Sequence, residues 1–421
     1  MSAEQTQGHP RSHGALPADE ALKRHIAARR QRGALYRRIL LSSVVIALTM
    51  LAFLLGDIVN ESFGYVALEN RVQPTTLTGG RPLRELSKDE LVAILRDNVS
   101  AGLLRRLEND QPLAERSTEN VLALIRERVV REETVRSWTL FESLFRRGAI
   151  EAEVAEKFPD ATLDFRSWLN WDFIVNPMSS EAAFAGVRTA ILGSLWMIAI
   201  TILVAFPIGV GAAIYLEEYA GNTWLNRVIQ TNINNLAGVP SIIYGMLGLA
   251  IFVRGLERFT SGAVFGVEGS TGRTILSAAL TLALLILPLL IINAQEAIRS
   301  VPLSLRQGSY ALGATKWQTT WHHVLPVAFP GILTGTILST SRAIGETAPL
   351  IVIGASTYIV SDPNGPFSKF TALPIQIYNW TQLPQEQFRD IAAAAIIVLL
   401  VLLLTLNSVA VLLRNRFRRS F

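Results

Sequence analysis

The segment Gln307–Pro326, which reads QGSYALGATKWQTTWHHVLP, is a polar loop between two long apolar stretches of the chain. The flanking stretches, Ile275–Ile292 and Ile332–Ala355, are each long enough to cross a bilayer as a helix. Two membrane spans need only a short connection, so a long and well-patterned loop between them indicates a docking surface. The segment therefore predicts a membrane protein that works with a partner.

The loop itself is predicted to be a pair of short helices joined at a glycine. Ser304–Gly313 has helical composition, and Gly313 is suited to end the first helix. A second short helix is predicted through Lys316–Trp321, until Leu325-Pro326 returns the chain to the membrane. Such a pair can present apolar side chains to a groove on a partner protein. An amphipathic helix resting on lipid accounts for the same pattern equally well, so the residues alone leave both interpretations open.

The composition is that of a membrane protein. Of the 421 residues, 50% are hydrophobic and 17% are charged, and the mean hydropathy is +0.33. No metal site or cofactor is predicted, because cysteine is absent and the adjacent His322 and His323 have no carboxylate cluster beside them. Most of the net charge of +5 lies beside apolar spans, which argues against nucleic-acid binding.

Six apolar stretches are long enough to cross a membrane, which predicts an all-α integral membrane protein with six transmembrane helices. They are Ile39–Val59, Ala190–Leu216, Val228–Val253, Ile275–Ile292, Ile332–Ala355 and Ile391–Leu413. Basic residues precede the first stretch at Arg37-Arg38 and follow the last in Arg414–Arg419. Since basic flanks stay in the cytoplasm, both termini are predicted to be cytoplasmic, as an even number of spans requires.

The charged stretch Asn60–Ser180 is predicted to be a helical insertion outside the cytoplasm. Ser87 and Glu90 form a capping-box pattern at the start of one helix, and Val121–Phe145 is a second run with helical periodicity. We interpret the insertion as a solvated element that stabilises the outer face of the protein. The alternative is a docking platform for a substrate-binding protein.

These observations divide the chain into four parts. Residues 1–38 are a basic cytoplasmic tail, predicted to be disordered from its Gly, Pro, Ser and charge content, and residues 39–59 are the first transmembrane helix. Residues 60–181 are the insertion, and residues 182–421 are a core with the other five helices. Within this core, residues 296–330 form the loop described above.

The loop resembles the EAA loop of ABC importer permeases, the site that meets the motor ATPase. Gly313, Leu325 and Pro326 match that pattern, Gln307-Gly308-Ser309 stands in place of the Glu-Ala-Ala triplet, and His323 stands where Ile is usual. The acidic residue of the triplet is therefore missing. The resemblance implies that the residues coupling the chain to the ATPase are Gln307, Gly308, Ser309, Tyr310, Gly313, Trp317, Leu325 and Pro326.

Two further runs look like those of phosphate-importer permeases, particularly the PstA type. They are Asn235–Ser241 (NLAGVPS) and Ser341–Leu350 (SRAIGETAPL), and the resemblance covers about Asp172 to the C-terminus. It implies a type I importer permease in a bacterial cytoplasmic (inner) membrane that forms half of a phosphate path. The implied partners are a PstC-type permease subunit, a PstB-type ATPase dimer and an extracytoplasmic phosphate-binding protein.

Arg342 and Glu346 are the residues expected to line the substrate path. They lie inside the fifth predicted span, four residues apart and so on one helix face, at a depth where charge is costly and usually faces an aqueous path. Arginine offers a planar fork of donors for phosphate oxygens, and Glu346 can accept a hydrogen bond from a protonated phosphate. A structural ion pair is the alternative. Arg299 is a second candidate at the inner mouth, although a positive-inside anchor is the preferred interpretation.

Sequence patterns typical of enzymes are absent from the chain. It has no Gly-x-x-x-x-Gly-Lys-Ser/Thr phosphate loop, and no Gly-x-Ser-x-Gly or His-Glu-x-x-His motif of a hydrolase or protease. We therefore predict a transport subunit whose ATP hydrolysis is carried out by a partner chain. A permease for another oxyanion, such as molybdate or sulfate, is the alternative. A secondary carrier is less favoured, because it needs inverted repeats and has no use for a docking loop.

Overall fold

The computed structural model describes residues 19–417 apart from 71, 73, 80, 111–112, 114–117, 126–128, 131, 180–181, 268–270, 357 and 360. The chain divides into two compact units, Met1–Asp57 and Ile58–Phe421, which are considered separately. The helix Asp19–Ser62 contains the predicted first span and begins well before it. Asp19–Arg38, predicted as part of a disordered tail, is therefore helical, since Ala, Leu, Arg and Gln in this stretch favour a helix. The disorder predicted for residues 1–18 lies outside the described residues.

The second unit holds the other long apolar helices. They are Arg188–Ile214, which continues as the π-helix Tyr215–Tyr219, then Ile275–Arg299, Leu325–Gly345 and Glu386–Phe417. Among the described residues, five helices are long and apolar enough to cross a membrane, and the number rises to six if one bent pair counts as a single span. The predicted helical membrane fold is thus confirmed, with a helix count close to the expected one.

The predicted third span is bent rather than straight. Trp224–Ala237 meets Ser241–Gly248 and its π-helical continuation Leu249–Gly255 at an angle of 105°. Pro240 is the residue that caps the second helix, and it has no N–H group for a helical hydrogen bond and disfavours helical geometry in the residue before it. The prediction of one helix over Val228–Val253 is therefore wrong in shape.

The helix that follows the loop begins earlier than predicted. Lys316–Thr319, the π-helix Thr320–Val324 and Leu325–Gly345 are contiguous and form one span of 30 residues. The expected separation of the second short helix from the membrane span at Leu325-Pro326 is therefore absent from this described stretch. The π-helix closes with a hydrogen bond from the N–H of Leu325 to the carbonyl of Thr320, and Pro326 falls in the first turn of the next segment, where its missing N–H costs little.

The insertion contains a β-sheet, so the prediction of a purely helical insertion is wrong. Strands β1 (Phe63–Asn70), β2 (Glu132–Ser137) and β3 (Thr162–Ser167) are antiparallel and lie in the order β2-β1-β3. The periodic run Val121–Phe145 shows the reason. Its helix ends at Ile125, and the β-branched pair Thr134-Val135 lies in β2, where pairing with the distant strand β1 decides the conformation.

Short helices surround this sheet. Those in the described part of the insertion are Pro74–Thr78, Lys88–Asn98, Ala101–Asp110, Thr118–Ile125, Leu140–Phe145, Arg147–Lys157 and Trp171–Val175, with a 3₁₀ turn at Leu83–Glu85. The predicted capping box is present, because the backbone N–H of Ser87 donates to the Glu90 carboxylate at 2.8 Å. This hydrogen bond lowers the pKa of Glu90. Its stabilising effect is therefore present at neutral pH and is lost as the pH falls through the lowered value.

The helix Ile275–Arg299 lies at the centre of the membrane part of the second unit. Of its most apolar stretch, 67% is buried inside the chain, and Leu282, Ile286 and Leu290 are fully buried. It packs against Arg188–Ile214 on one side and against Leu325–Gly345 on another. Shorter helices of this part are Ala182–Phe184, Glu257–Thr260, Ala263–Phe265, Leu303–Ala311, Ala348–Ile353 and Leu373–Thr381.

Gly193 offers a test of this packing. A Cβ atom at Gly193 would overlap the backbone carbonyl oxygen of Thr371, which cannot rotate away as a side chain can. The substitution Gly193→Ala should therefore destabilise the fold by about 1–3 kcal/mol, the usual effect of overpacking. The measurement is the melting temperature of the purified chain in detergent.

Gly211 is the matched control for this test. It lies on the same helix, and a Cβ atom there would meet nothing within 4 Å. Gly211→Ala should leave the melting temperature unchanged or raise it. Equal melting temperatures for the two variants would contradict the packing described here.

Candidate functional site

The loop after the central helix consists of two helical segments joined at a left-handed glycine. Leu303–Ala311 is the first segment, and Gly313 has a φ of +82°, which favours glycine over residues with a side chain. Thr315 begins the second segment: its hydroxyl accepts a hydrogen bond from the N–H of Gln318, whose side chain accepts one from the N–H of Thr315. The connection between the two segments is therefore fixed by local hydrogen bonds.

A buried ion pair that the sequence analysis missed anchors this loop to the membrane helices. Arg306 donates from Nη2 and Nε to Oε1 of Glu218 at 2.8 and 3.1 Å, and the two side chains are only 13% and 5% exposed. Arg306 also donates to the carbonyl oxygens of Val301 at 2.6 Å and Ile298 at 2.9 Å. Because each buried charge has hydrogen-bond partners, the pair joins the loop firmly to the π-helix Tyr215–Tyr219.

A second ion pair lies next to the first in sequence. Arg299 donates from Nη2 and Nε to the two carboxylate oxygens of Glu217 at 2.9 and 3.1 Å, with 60% of the arginine side chain exposed. This ion pair gives Arg299 a structural partner at the end of the central helix. The sequence did hold a signal for both pairs, namely two adjacent acidic residues at the end of an apolar span that faces a loop with basic residues.

The loop presents apolar side chains outward. Leu312 is 91% exposed, and the side chains of Tyr310 and Trp317 are also exposed. The rings of Trp317 and Trp321 are stacked, with their centroids 5.4 Å apart. A rigid loop with an exposed apolar tip has the properties of a docking surface, since exposed apolar patches mark sites of protein or membrane contact.

The eight residues predicted to couple the chain to an ATPase fall into two groups. Those exposed on the loop are Gln307, Gly308, Tyr310, Gly313 and Trp317. Ser309 is buried, and its hydroxyl is hydrogen-bonded to that of Thr319 at 2.9 Å. Leu325 and Pro326 are half-buried and line an apolar groove of about 420 Å³ together with Phe206 and Phe329. Ser309, Leu325 and Pro326 therefore position the loop, whereas the five exposed residues can contact a partner.

Arg342 and Glu346 form an ion pair at the far end of the helix that leaves the loop. Nε of Arg342 donates to Oε1 of Glu346 at 3.3 Å, and the side chains are 47% and 17% exposed in the single chain. The ion pair named above as the alternative to a path role is present in the single chain, and the predicted placement on one helix face is wrong. The helix ends at Gly345, and Glu346 has extended backbone geometry.

The break after Gly345 divides the predicted fifth span. Ala348–Ile353 is a separate short helix with Pro349 near its start, so the span expected over Ile332–Ala355 is not continuous. Glycine is a poor helix former and proline favours a new helix start, which accounts for the break. The Arg342–Glu346 pair therefore lies at a discontinuity in the membrane part, where backbone groups are open to other partners.

Arg299 and Arg342 lie at different levels of the helix bundle. The register between their two antiparallel helices is given by two close contacts, Gly331 with Ala297 and Gly335 with Asn293. Continuing this register places Arg342 level with a point about 13 residues before Arg299, or about 20 Å along the axis. The structure therefore does not bring Arg299 to the Arg342–Glu346 pair.

Comparison with known proteins shows a match to one family of transport proteins. The family described as "Binding-protein-dependent transport system inner membrane component" matches residues 205–419. These residues include the loop, the Arg299–Glu217 and Arg306–Glu218 pairs, and the Arg342–Glu346 pair.

Individual relatives agree with this match. The chain is 36% identical over 205 residues to the probable ABC transporter permease protein YqgH of Bacillus subtilis, which covers 49% of this chain and 62% of that protein's length. It is 33% identical over 246 residues to the phosphate transport system permease protein PstA 1 of Mycobacterium tuberculosis, covering 58% of this chain and 75% of the relative. It is 35% identical over 212 residues to the phosphate transport system permease protein PstC of Haemophilus influenzae, covering 46% and 64%.

Removing one partner of the buried pair should destabilise the chain more than removing both. Arg306→Met leaves the carboxylate of Glu218 buried without its cation, which typically costs about 3–5 kcal/mol. The double variant Arg306→Met, Glu218→Met removes the charge as well and should recover much of that loss. The measurement is again the melting temperature in detergent.

Arg299→Met is the control, because an exposed ion pair contributes only about 0–1 kcal/mol. The expected order of melting temperatures places Arg306→Met lowest, with the double variant above it. If Arg306→Met melted no lower than Arg299→Met, the anchoring role of Arg306 would be disproved.

Proposed function

Because the chain belongs to the family of binding-protein-dependent transport system inner membrane components, we propose that it is the PstA-type permease subunit of an ATP-driven phosphate importer. It forms half of the translocation path together with a PstC-type permease subunit. Phosphate arrives from an extracytoplasmic binding protein, and a PstB-type ATPase dimer hydrolyses ATP. Both termini lie on the cytoplasmic side of the inner membrane. Two relatives, the phosphate transport system permeases PstA 1 and PstC, support phosphate as the substrate.

One observation carries the coupling part of this proposal: an outward apolar loop is joined rigidly to the membrane helices. Leu312 is exposed at its tip, while Arg306 holds its base to Glu218. A helix that only rests on lipid has no need of a buried ion pair to the bundle, so this arrangement favours a docking loop for the ATPase over a lipid-bound helix. Gln307, Gly308, Tyr310, Gly313 and Trp317 complete the proposed contact surface.

The loop is also connected to the proposed substrate path. Trp317 and Arg342 lie on one continuous helix, 25 residues or about 37 Å apart. A movement of the loop therefore reaches Arg342 along the backbone of a single helix. This continuity supports a role for the helix in transmitting ATPase movements to the path.

Arg342 and Glu346 are proposed to line that path where the two permease subunits meet. The guanidinium of Arg342 is partly exposed in the single chain at a depth of about 20 Å from the level of Arg299, and a charge there needs water or another subunit beside it. Arg342 donates hydrogen bonds to phosphate oxygens, and Glu346 accepts one from the protonated oxygen. Arg299 stands at the cytoplasmic mouth, where its pairing with Glu217 makes it an anchor.

Replacing Leu312 with Asp should weaken binding of the ATPase without unfolding the chain. The side chain is 91% exposed, so it contributes little to the fold. Loss of an apolar anchor at an interface costs about 2 kcal/mol or more, roughly a thirtyfold loss in affinity. The measurement is co-purification of the ATP-binding subunit with the tagged permease, together with the ATPase activity of the complex.

Leu312→Met keeps an apolar side chain and should bind the ATPase normally. An unchanged melting temperature for Leu312→Asp separates lost docking from lost folding. Normal co-purification and ATPase activity in Leu312→Asp would contradict the docking role and favour the alternative of a lipid-bound helix.

The variants Arg342→Lys and Glu346→Gln should reduce phosphate uptake about tenfold, the effect of losing one charge-assisted hydrogen bond of about 1.5 kcal/mol. Lysine keeps the charge of Arg342 but lacks its planar fork, and glutamine keeps the shape of Glu346 but lacks its charge. Uptake is measured as radioactive phosphate entering proteoliposomes that contain the complete importer, at matched protein levels.

Arg389→Lys is the matched control, because Arg389 also pairs with a carboxylate, that of Glu61, and is exposed elsewhere on the chain. It should transport phosphate normally. Near-normal uptake by both path variants would disprove the proposed role of the pair. Transport of sulfate or molybdate in place of phosphate by the unaltered importer would disprove the proposed substrate.

A further inference from the structure

The insertion carries an exposed apolar helix that the proposed function does not use. It is the short helix Leu140–Phe145, in which Phe141, Leu144 and Phe145 are 61%, 66% and 71% exposed. The three residues lie at positions i, i+3 and i+4 and therefore share one helix face. The rings of Phe141 and Phe145 pack against each other with centroids 4.6 Å apart. Together these three side chains form a contiguous apolar face on the surface of the insertion.

The helix is held in this orientation by its polar side. Ser143 is buried, and its hydroxyl accepts a hydrogen bond from the backbone N–H of Tyr65 in β1 at 2.8 Å. Thr139 and Glu142 form a capping box at the start of the helix. Hydrogen bonds therefore hold the opposite side of the helix against the sheet, and the apolar face points away from the sheet.

One hydrogen bond fixes the depth of this helix. The backbone N–H of Phe141 donates to Oδ1 of Asn60 at 2.8 Å. Asn60 directly follows the apolar stretch Ile39–Val59 and lies in the last turn of the helix Asp19–Ser62. A headgroup layer about 5–7 Å thick covers each side of the hydrocarbon core, and one helical turn advances about 5.4 Å. Phe141 is therefore bonded to a residue within one helical turn of the end of that apolar stretch, a distance comparable to the thickness of the headgroup layer.

We propose that Leu140–Phe145 is a membrane-surface anchor whose apolar face enters the headgroup layer on the side of the insertion. The sequence fits this environment, because aromatic side chains are favoured at the membrane–water interface and basic side chains next to them reach lipid phosphates. Arg146 and Arg147 follow the helix directly and are exposed. The anchor adds a second attachment of the sheet to the bilayer, beside the covalent one through Ser62, and so limits the tilt of the insertion.

Lipid is the occupant, rather than another protein, because of where the face lies. A surface level with the end of a membrane span is covered by headgroups wherever no other chain displaces them. This inference depends only on the chain being embedded in a membrane. It stands or falls independently of phosphate and of the coupling loop.

The absence of cysteine allows a direct test on the full-length chain. A nitroxide is attached to Leu144→Cys, and the chain is reconstituted in vesicles of phosphatidylethanolamine and phosphatidylglycerol. Collisions of the nitroxide with oxygen, which concentrates in lipid, are compared with collisions with a water-soluble nickel complex. The matched control is Ala155→Cys, an exposed position on the neighbouring helix Arg147–Lys157.

The expected result is an oxygen-to-nickel collision ratio several times higher at position 144 than at position 155. Equal ratios at the two positions would overturn the proposal. A nitroxide at position 144 that becomes shielded from nickel only after the other subunits or the binding protein are added would also overturn it, because the face would then be covered by protein.

Discussion

The contact between Arg306 and Glu218 is the interaction on which the arrangement of the loop depends. It lies where the end of the second span, the end of the central helix and the loop come together, and the guanidinium bonds to a carboxylate and two backbone carbonyls at once. A buried ion pair of this kind is often no more stabilising than apolar residues of the same volume. Its directed hydrogen bonds instead permit one orientation of Leu303–Ala311 against the bundle. An apolar contact in its place would allow the loop to slide, and a sliding loop would lose any displacement imposed on it.

How far the sequence could predict the fold depended on how local each feature is. The turn at Gly313, the capping box at Ser87 and the four predicted spans that are continuous helices are determined by residues close together in the chain, and each is present. Arg306 and Glu218 are 88 residues apart, and β1 takes both of its neighbours from much later in the chain, so local sequence does not specify which residues pair in the ion pair or in the sheet. The spacing of Arg342 and Glu346 predicted one helix face, but the helix ends between them, because glycine is a poor helix former and Pro349 favours the start of a new helix.

The charged residues of the core fall into sets with different surroundings. Near the loop, two adjacent glutamates meet two arginines, and one of these pairs is almost fully enclosed. About 20 Å away along the bundle, Arg342 keeps nearly half of its side chain exposed beside a helix break. Enclosure suits groups that hold parts of the protein together, and partial exposure suits groups that exchange one partner for another. In the proposed topology, the sheet and the exposed aromatic helix of the insertion lie on the side of the membrane opposite the loop.

The unbroken helix from Lys316 to Gly345 has a mechanical consequence. Trp317 and Arg342 are about 37 Å apart along this helix, so a tilt of about 5° around the loop end moves Arg342 by about 3 Å. That displacement equals the length of a hydrogen bond, so a slight tilt is enough to separate Arg342 from a partner held by another element. A hinge at Pro326 would have absorbed such a tilt by bending. The π-helix Thr320–Val324 carries the backbone to that proline without interruption. The displacement at the far end of the helix is therefore set by the length of the helix.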